Sequence, residues 1–197
     1  MKTRLIGALG ALLLALGATG VALSDQDREH DDDHDKGRSE SKEFGWEPKG
    51  RDLDPATDPG YRSECGGCHL AYAPGLLPAD AWRRVMGDLA DHYGDDATLD
   101  AATAERIRGY LVANSADGNA QVRSRAFAVA PTAGNGPPRI TDTLYFQRKH
   151  DEIPLRLVRD NPGVGSFSRC ETCHGGADEG RFNEDQVRIP GVGRWDD

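Results

Sequence analysis

Cys65-Gly66-Gly67-Cys68-His69 and Cys170-Glu171-Thr172-Cys173-His174 are two copies of C-x-x-C-H, and all four cysteines of the 197-residue chain lie in them. C-x-x-C-H is the attachment sequence of c-type haem. Residues three apart share one face of a helical turn, so both thiols can form thioethers to the two vinyl groups of one macrocycle. The histidine that follows is carried beneath the ring plane, where its imidazole can bind iron. Small Gly66 and Gly67 predict a close approach of the first helix to its macrocycle. Other uses of paired cysteines fit less well. Structural zinc sites separate their pairs by about 15–20 residues, and the interval here is far longer. Zinc, or a disulfide within each C-x-x-C, would also leave His69 and His174 without a role. A thioredoxin-like centre needs a βαβ context, and no stretch of this chain reads as a defensible strand.

Composition points the same way. The chain is 37% hydrophobic, 7% aromatic and 29% charged, which leaves it short of core for its length. Two flat apolar macrocycles would supply the missing core, so the haem-free chain is expected to be unfolded or only partly folded. The formal net charge of −9 argues against nucleic-acid binding, whose affinity comes mainly from Lys and Arg on phosphates. It suggests instead a docking partner with a basic patch. Gly and Pro, 24 and 11 residues, are scattered without period, so the chain is neither collagen-like nor of low complexity.

Along the chain, residues 1–24 read as an export signal: Lys2 and Arg4, an apolar stretch over 5–23, and small residues before abrupt charge at Asp25. The stretch approaches bilayer-spanning length, so a retained anchor is the alternative, and a membrane contact would follow only from it. Either way the rest of the chain lies outside the cytoplasm, and a bacterial periplasm is expected. Residues 25–59 read as an acidic disordered tail, with His30 and His34 in a solvated charge run, followed by a Gly/Pro-rich loop. A first haem lobe is expected over 60–114. It holds a short helix carrying the first motif, a helix from Pro78 to a stop at Gly94, and a third helix capped by Asp100. Residues 115–139 lack a clear period and end in Gly-Asn-Gly-Pro-Pro, which reads as a linker. A second haem lobe is expected over 140–197, with Thr143 capping a short helix to His150 and Ser168 capping the second motif. The fold class is mostly α: a small protein of short helices and long loops packed around two covalent haems.

Each iron has a sixth position, and its occupant separates carrier from catalyst. With Met1 removed, Met86 is the only methionine, so at most one haem can be His/Met, and Met86 lies in an apolar stripe where packing is its expected role. The candidate distal ligands are His92, at the end of the Trp82–Tyr93 stripe, and His150, after Leu144-Tyr145-Phe146. Proximity along the chain pairs His92 with the first haem and His150 with the second, and leaves a crossed pairing open. Two bis-His haems would have no vacant position for substrate, and lower potentials than His/Met haems. The competing readings are a peroxidase- or reductase-like haem enzyme, or a gas-binding haem protein with one displaceable ligand.

Three stretches carry a resemblance: CGGCHLAYAPGLLPADAWRRVMGDLADHYGDDATLD (65–100), RITDTLYFQRKHDEI (139–153) and SRCETCHGGADEGRFNEDQVRIPG (168–191). Together they resemble the periplasmic dihaem cytochrome c family of purple bacteria, over roughly residues 60–193. Leu-Leu-Pro-Ala-x-x-Trp, Asp-His-Tyr-Gly and Val-Arg-Ile-Pro-Gly are more specific than the haem motifs. The resemblance implies a soluble, mostly helical protein with two haem c groups. It also implies proximal ligands His69 and His174, distal ligands His92 and His150, and thioether attachment at Cys65, Cys68, Cys170 and Cys173. The implied role is electron transfer rather than enzyme catalysis, from a membrane b-type cytochrome to a small monohaem protein that can bind oxygen. The acidic tail at 25–43 departs from the family's pattern and could screen or supply charge near a docking face.

Overall fold

Asp58 starts the first helix. Its carboxylate accepts a hydrogen bond from Tyr61 N at 2.7 Å, satisfying one of the donors left free at a helix start. Pro59 follows where a missing N–H costs nothing. In the computed structural model, residues 52–129, 131 and 136–195 are described, all within one unit of the chain. The expected signal segment and the acidic run lie outside the described residues. Helix α1 (Pro59–Cys65) ends at the first cysteine, where Gly66 N bonds back to Arg62 O. Gly66 to Cys68 therefore form a turn rather than the expected helix.

Helix α2 (Ala79–Gly87) buries Ala81, Trp82 and Val85. The expected continuation to Gly94 does not form: Asp88 leaves the helix at φ −133°, and a 3-10 turn spans Leu89–Asp91. Gly and Asp are weak helix interiors. The Asp91 carboxylate also captures Gly94 N at 3.0 Å, a local bond that competes with helix continuation. Helix α3 (Ala101–Ala113) starts as expected at Asp100, whose carboxylate accepts Ala102 N and Thr103 N, each at 3.0 Å. Ile107 and Leu111 of α3 join Tyr61, Leu77, Trp82 and Val85 in one core cluster.

The stretch that reads as a linker is packed. Ser115, Ala116, Ser124 and Phe127 are buried, helix α4 (Val122–Ala126) lies within it, and Ala116 N donates to Leu77 O at 2.9 Å. Small residues do this packing. A Cβ on Gly75 would stand 2.3 Å from Ser124 Oγ, so the Ser124 side chain packs directly on the Gly75 backbone where no hydrophobic period announces it. A second core cluster gathers Leu53, Ala73, Leu76, Ala116, Phe127 and Phe146. Leu53, in the stretch expected as tail and loop, is therefore core.

Helix α5 (Leu144–His150) starts at Thr143, whose Oγ1 accepts Phe146 N at 3.3 Å and donates to Ile140 O at 2.7 Å. The second motif lies on a 3-10 turn, Cys170–Thr172. Ser168 does not cap it; Ser168 N donates to Ser166 Oγ at 3.2 Å instead. A third cluster, Val158, Val164, Val187 and Ile189, closes this end. Strands β1 (Arg188–Ile189) and β2 (Gly193–Arg194) pair antiparallel, Arg188 opposite Arg194, two residues each and too short to show an alternating pattern. The architecture is thus mostly short helices and long loops. Among the described residues no helix is long and apolar enough to cross a membrane.

Candidate haem centres

The first centre is built by the turn after α1 and the turn after α2. His69 donates Nδ1–H to Leu70 O at 2.7 Å, which fixes the tautomer and leaves Nε2 free. Tyr72 stacks on His69, ring centres 4.7 Å apart at 18°. The Tyr72 hydroxyl donates to Ser168 O at 2.7 Å, and Tyr72 O accepts Tyr61 O–H at 2.9 Å. His92 faces His69 across 6.2 Å with an interplanar angle of 18°. A cavity of about 280 Å³ lies here, lined by Cys65, His69, Trp82, Met86 and His92 among others.

The second centre sets the C-terminal residue of α5 against the second motif. His150 donates Nδ1–H to Phe146 O at 2.9 Å, stacks on the Phe146 ring at 3.9 Å and 12°, and meets Phe167 edge-on at 5.7 Å. His174 lies 6.2 Å from His150 at 72°, with the Phe182 ring 5.3 Å from it and tilted at 56°. The cavity there is about 520 Å³, lined by Cys170, Cys173, His150, His174, Phe127 and Tyr145 among others. Ile140, Phe146 and Cys170 line both cavities, so the two centres adjoin.

Both separations fit a shared metal. Metal–imidazole bonds run about 2.0–2.1 Å; adding roughly 1.2 Å from nitrogen to ring centre on each side puts two opposed imidazoles about 6.4 Å apart. Each histidine pair stands at 6.2 Å, and each pair joins one motif histidine to one of the two candidate distal histidines, in chain order rather than crossed. Burial also favours, at three of the four histidines, the neutral imidazole that binds metal. It lowers His92 and His150, and it takes His174 down to about 4, helped by His150 and Arg123. Burial likewise pushes the Cys65 thiol up to about 11 and Cys170 up to about 12. The residues present fit two haem groups.

The comparisons agree. The dihaem cytochrome c family matches residues 61–182. The chain belongs to the dihaem cytochrome c family. A crystal structure of a dihaem cytochrome c from Shewanella baltica OS155 is 47% identical, covering 70% of this chain and 97% of that one, with a TM-score of 0.59. A dihaem cytochrome c from Rhodobacter sphaeroides is 40% identical over 66% of this chain and 100% of that one, TM-score 0.55. No protein with curated annotation matches the chain.

This dihaem cytochrome c carries two covalent haem c groups and serves electron transfer. Its second cavity has a wall that the sequence reading did not anticipate. Asp52 is buried, accepts Phe182 N at 2.6 Å and pairs with Arg123 at 3.3 Å. Arg123 also donates to the Tyr145 hydroxyl at 3.1 Å. In the sequence Asp52 is one acid in a loop and Arg123 one base in an apparent linker, so nothing but the fold pairs them. Tyr72 is hidden similarly: it stands three residues beyond His69, but its contact with Ser168 joins residues 96 positions apart.

Proposed function

We propose that this dihaem cytochrome c is a periplasmic electron carrier whose two irons are each held between two histidines. His69 and His92 hold the first, His174 and His150 the second, with Cys65/Cys68 and Cys170/Cys173 as the thioether attachments. The observation that carries the reading is the common 6.2 Å separation of the two histidine pairs, one for each motif. When bound, each haem supplies a one-electron ferric/ferrous couple. The chain's own residues keep the imidazoles of His92, His150 and His174 neutral, orient His69 and His150 through their Nδ1 bonds, and line the centres with aromatic walls. Second-shell bonds of this kind fix the ring and raise ligand basicity. With two nitrogen ligands on each iron, no position is left open for bond-making in the resting protein, and potentials fall below those of His/Met haems.

Export follows from the basic start, apolar stretch and small-residue exit of residues 1–24. The resemblance supplies the partners: a membrane b-type cytochrome as donor and a small monohaem, oxygen-binding cytochrome as acceptor. The net charge of −9 favours a basic docking face on at least one of them, with association that weakens as salt rises.

Voltammetry of the exported holoprotein tests the carrier role. Two reversible one-electron waves, with no catalytic current on adding peroxide or oxygen, are expected. A catalytic current with either oxidant would overturn the reading in favour of a haem enzyme. Replacing Cys65 and Cys68 together by serine should remove the mass of one haem from the denatured protein, and replacing Cys170 and Cys173 the other.

A further inference from the structure

The two distal histidines are held very differently. His150 ends a regular helix, its Nδ1–H is taken by Phe146 O at 2.9 Å, and its ring stacks on Phe146 and meets Phe167 edge-on. His92 is held less: it ends no regular helix, and beyond His69 its ring meets only Tyr93, edge-on at 4.8 Å, among the described residues. Its Nδ1 is buried and has no hydrogen-bond partner among the described residues, whereas a metal-bound histidine commonly gives its second nitrogen to a protein carbonyl or carboxylate. The segment that carries it is loosely built. None of residues 88–100 is buried. The turn is closed by a few backbone bonds, among them His92 N to Asp95 O at 2.7 Å and Ala97 N to Leu89 O at 2.8 Å.

Strain adds to this. Tyr93, next to His92, has φ +59°, the one non-glycine residue in the left-handed region among those described, and Gly94 follows at φ +104°. Side chains with a Cβ resist that region, and strained, sparsely packed segments are those that open first. The Tyr93 side chain is anchored to the body of the protein, its hydroxyl on Pro138 O at 2.7 Å and its ring under Arg139 at 4.1 Å. His92 can therefore swing while its neighbour stays docked.

We propose that His92 is an exchangeable ligand, and that the first haem of the reduced protein takes up a neutral diatomic molecule of the carbon monoxide or nitric oxide class while the second does not. The bond from iron to His92 Nε2 breaks and one to the incoming molecule forms; no electron or proton is transferred. This rests on the bis-His reading of the resting protein. Met86 lines the same cavity and is the internal competitor for the vacated position.

The test is carbon monoxide on the dithionite-reduced holoprotein, with bound ligand counted against two haems. One equivalent per chain is expected, entering at a rate that stops rising at high ligand concentration because loss of His92 limits it. In the wild-type protein, the imidazole proton resonances of His92 should move out of the haem ring current while those of His150 stay. His92→Ala should still bind one equivalent, at least tenfold faster and without the rate plateau. Absence of uptake at saturating gas, capture of the position by Met86, or movement of the His150 resonances instead would each overturn the proposal. Failure of the bis-His reading would show separately, as a high-spin signal in the oxidised protein before any gas is added.

Discussion

At the residue scale, the seam between Asp52-Leu53 and Gly180 ties the start of the described chain to the loop beyond the second motif. Gly180 O accepts both Asp52 N and Leu53 N, at 2.9 and 3.1 Å. Gly180 has φ +77°, and a Cβ there would lie 2.0 Å from Leu53 O. Gly180→Ala therefore meets backbone on one side and a disfavoured conformation on the other; a loss of about 2–4 kcal/mol is expected in denaturant unfolding. Asp52 is the companion case. Its side chain is 1% exposed beside Arg123 at 15%. Asp52→Ala would strand that guanidinium, whose Nε already has no partner among the described residues, and Phe182 N as well. About 3–5 kcal/mol is the expected cost. Neither residue could be picked out of the sequence, because a glycine or an acid gains its meaning there from a neighbour more than a hundred positions away. The two C-x-x-C-H motifs and the two candidate distal histidines could be picked out of the sequence, because covalent haem chemistry fixes the spacing of the first and the scarcity of histidine limits the second.

At the element scale, capping decides which helices stand. Thr143 starts α5 and is buried, so Thr143→Ala should cost about 1–2 kcal/mol while Thr143→Ser should restore most of it. Because α5 ends in His150, the alanine variant should also broaden the spectroscopic signature of the second haem and leave the first unchanged. Asp58 and Asp100 cap α1 and α3. The Tyr61 N–H, then Arg106, hold the Asp58 carboxyl below its ordinary 3.8, and bonds from Thr103 do the same for Asp100. A carboxyl lowered by folding stabilises fully above its unfolded value and loses that contribution as pH falls through the folded one. Helicity followed by circular dichroism should therefore decline below about pH 4, and Asp100→Asn should flatten that decline, since it keeps a cap but loses the titration. Caps at Asp100 and Thr143 could be read from sequence because they are local, whereas Asp58 lies in a stretch whose Gly, Pro and Asp content reads as loop. The break at Gly87-Asp88 was obscured by an apolar stripe that runs on to Tyr93, and the packing of 115–129 by its reliance on small residues.

At the scale of the whole molecule, the described chain spreads its apolar residues over three small clusters around two adjoining cavities of about 280 and 520 Å³. Voids of that size forfeit contacts on every wall, so the haems belong to the core. Protein made without haem attachment should show weakened near-ultraviolet dichroism and bind a hydrophobic dye, as expanded states do; a cooperative, dye-silent apo form would contradict this. The central claim, that each iron sits between two histidines, is tested most directly by low-temperature electron paramagnetic resonance of the oxidised full chain. The two imidazole pairs differ in mutual orientation, 18° at the first centre and 72° at the second. Two low-spin ferric signals are predicted: a rhombic one from the near-parallel pair and a strongly anisotropic one from the crossed pair. A high-spin signal, or a single low-spin species accounting for both irons, would contradict the account.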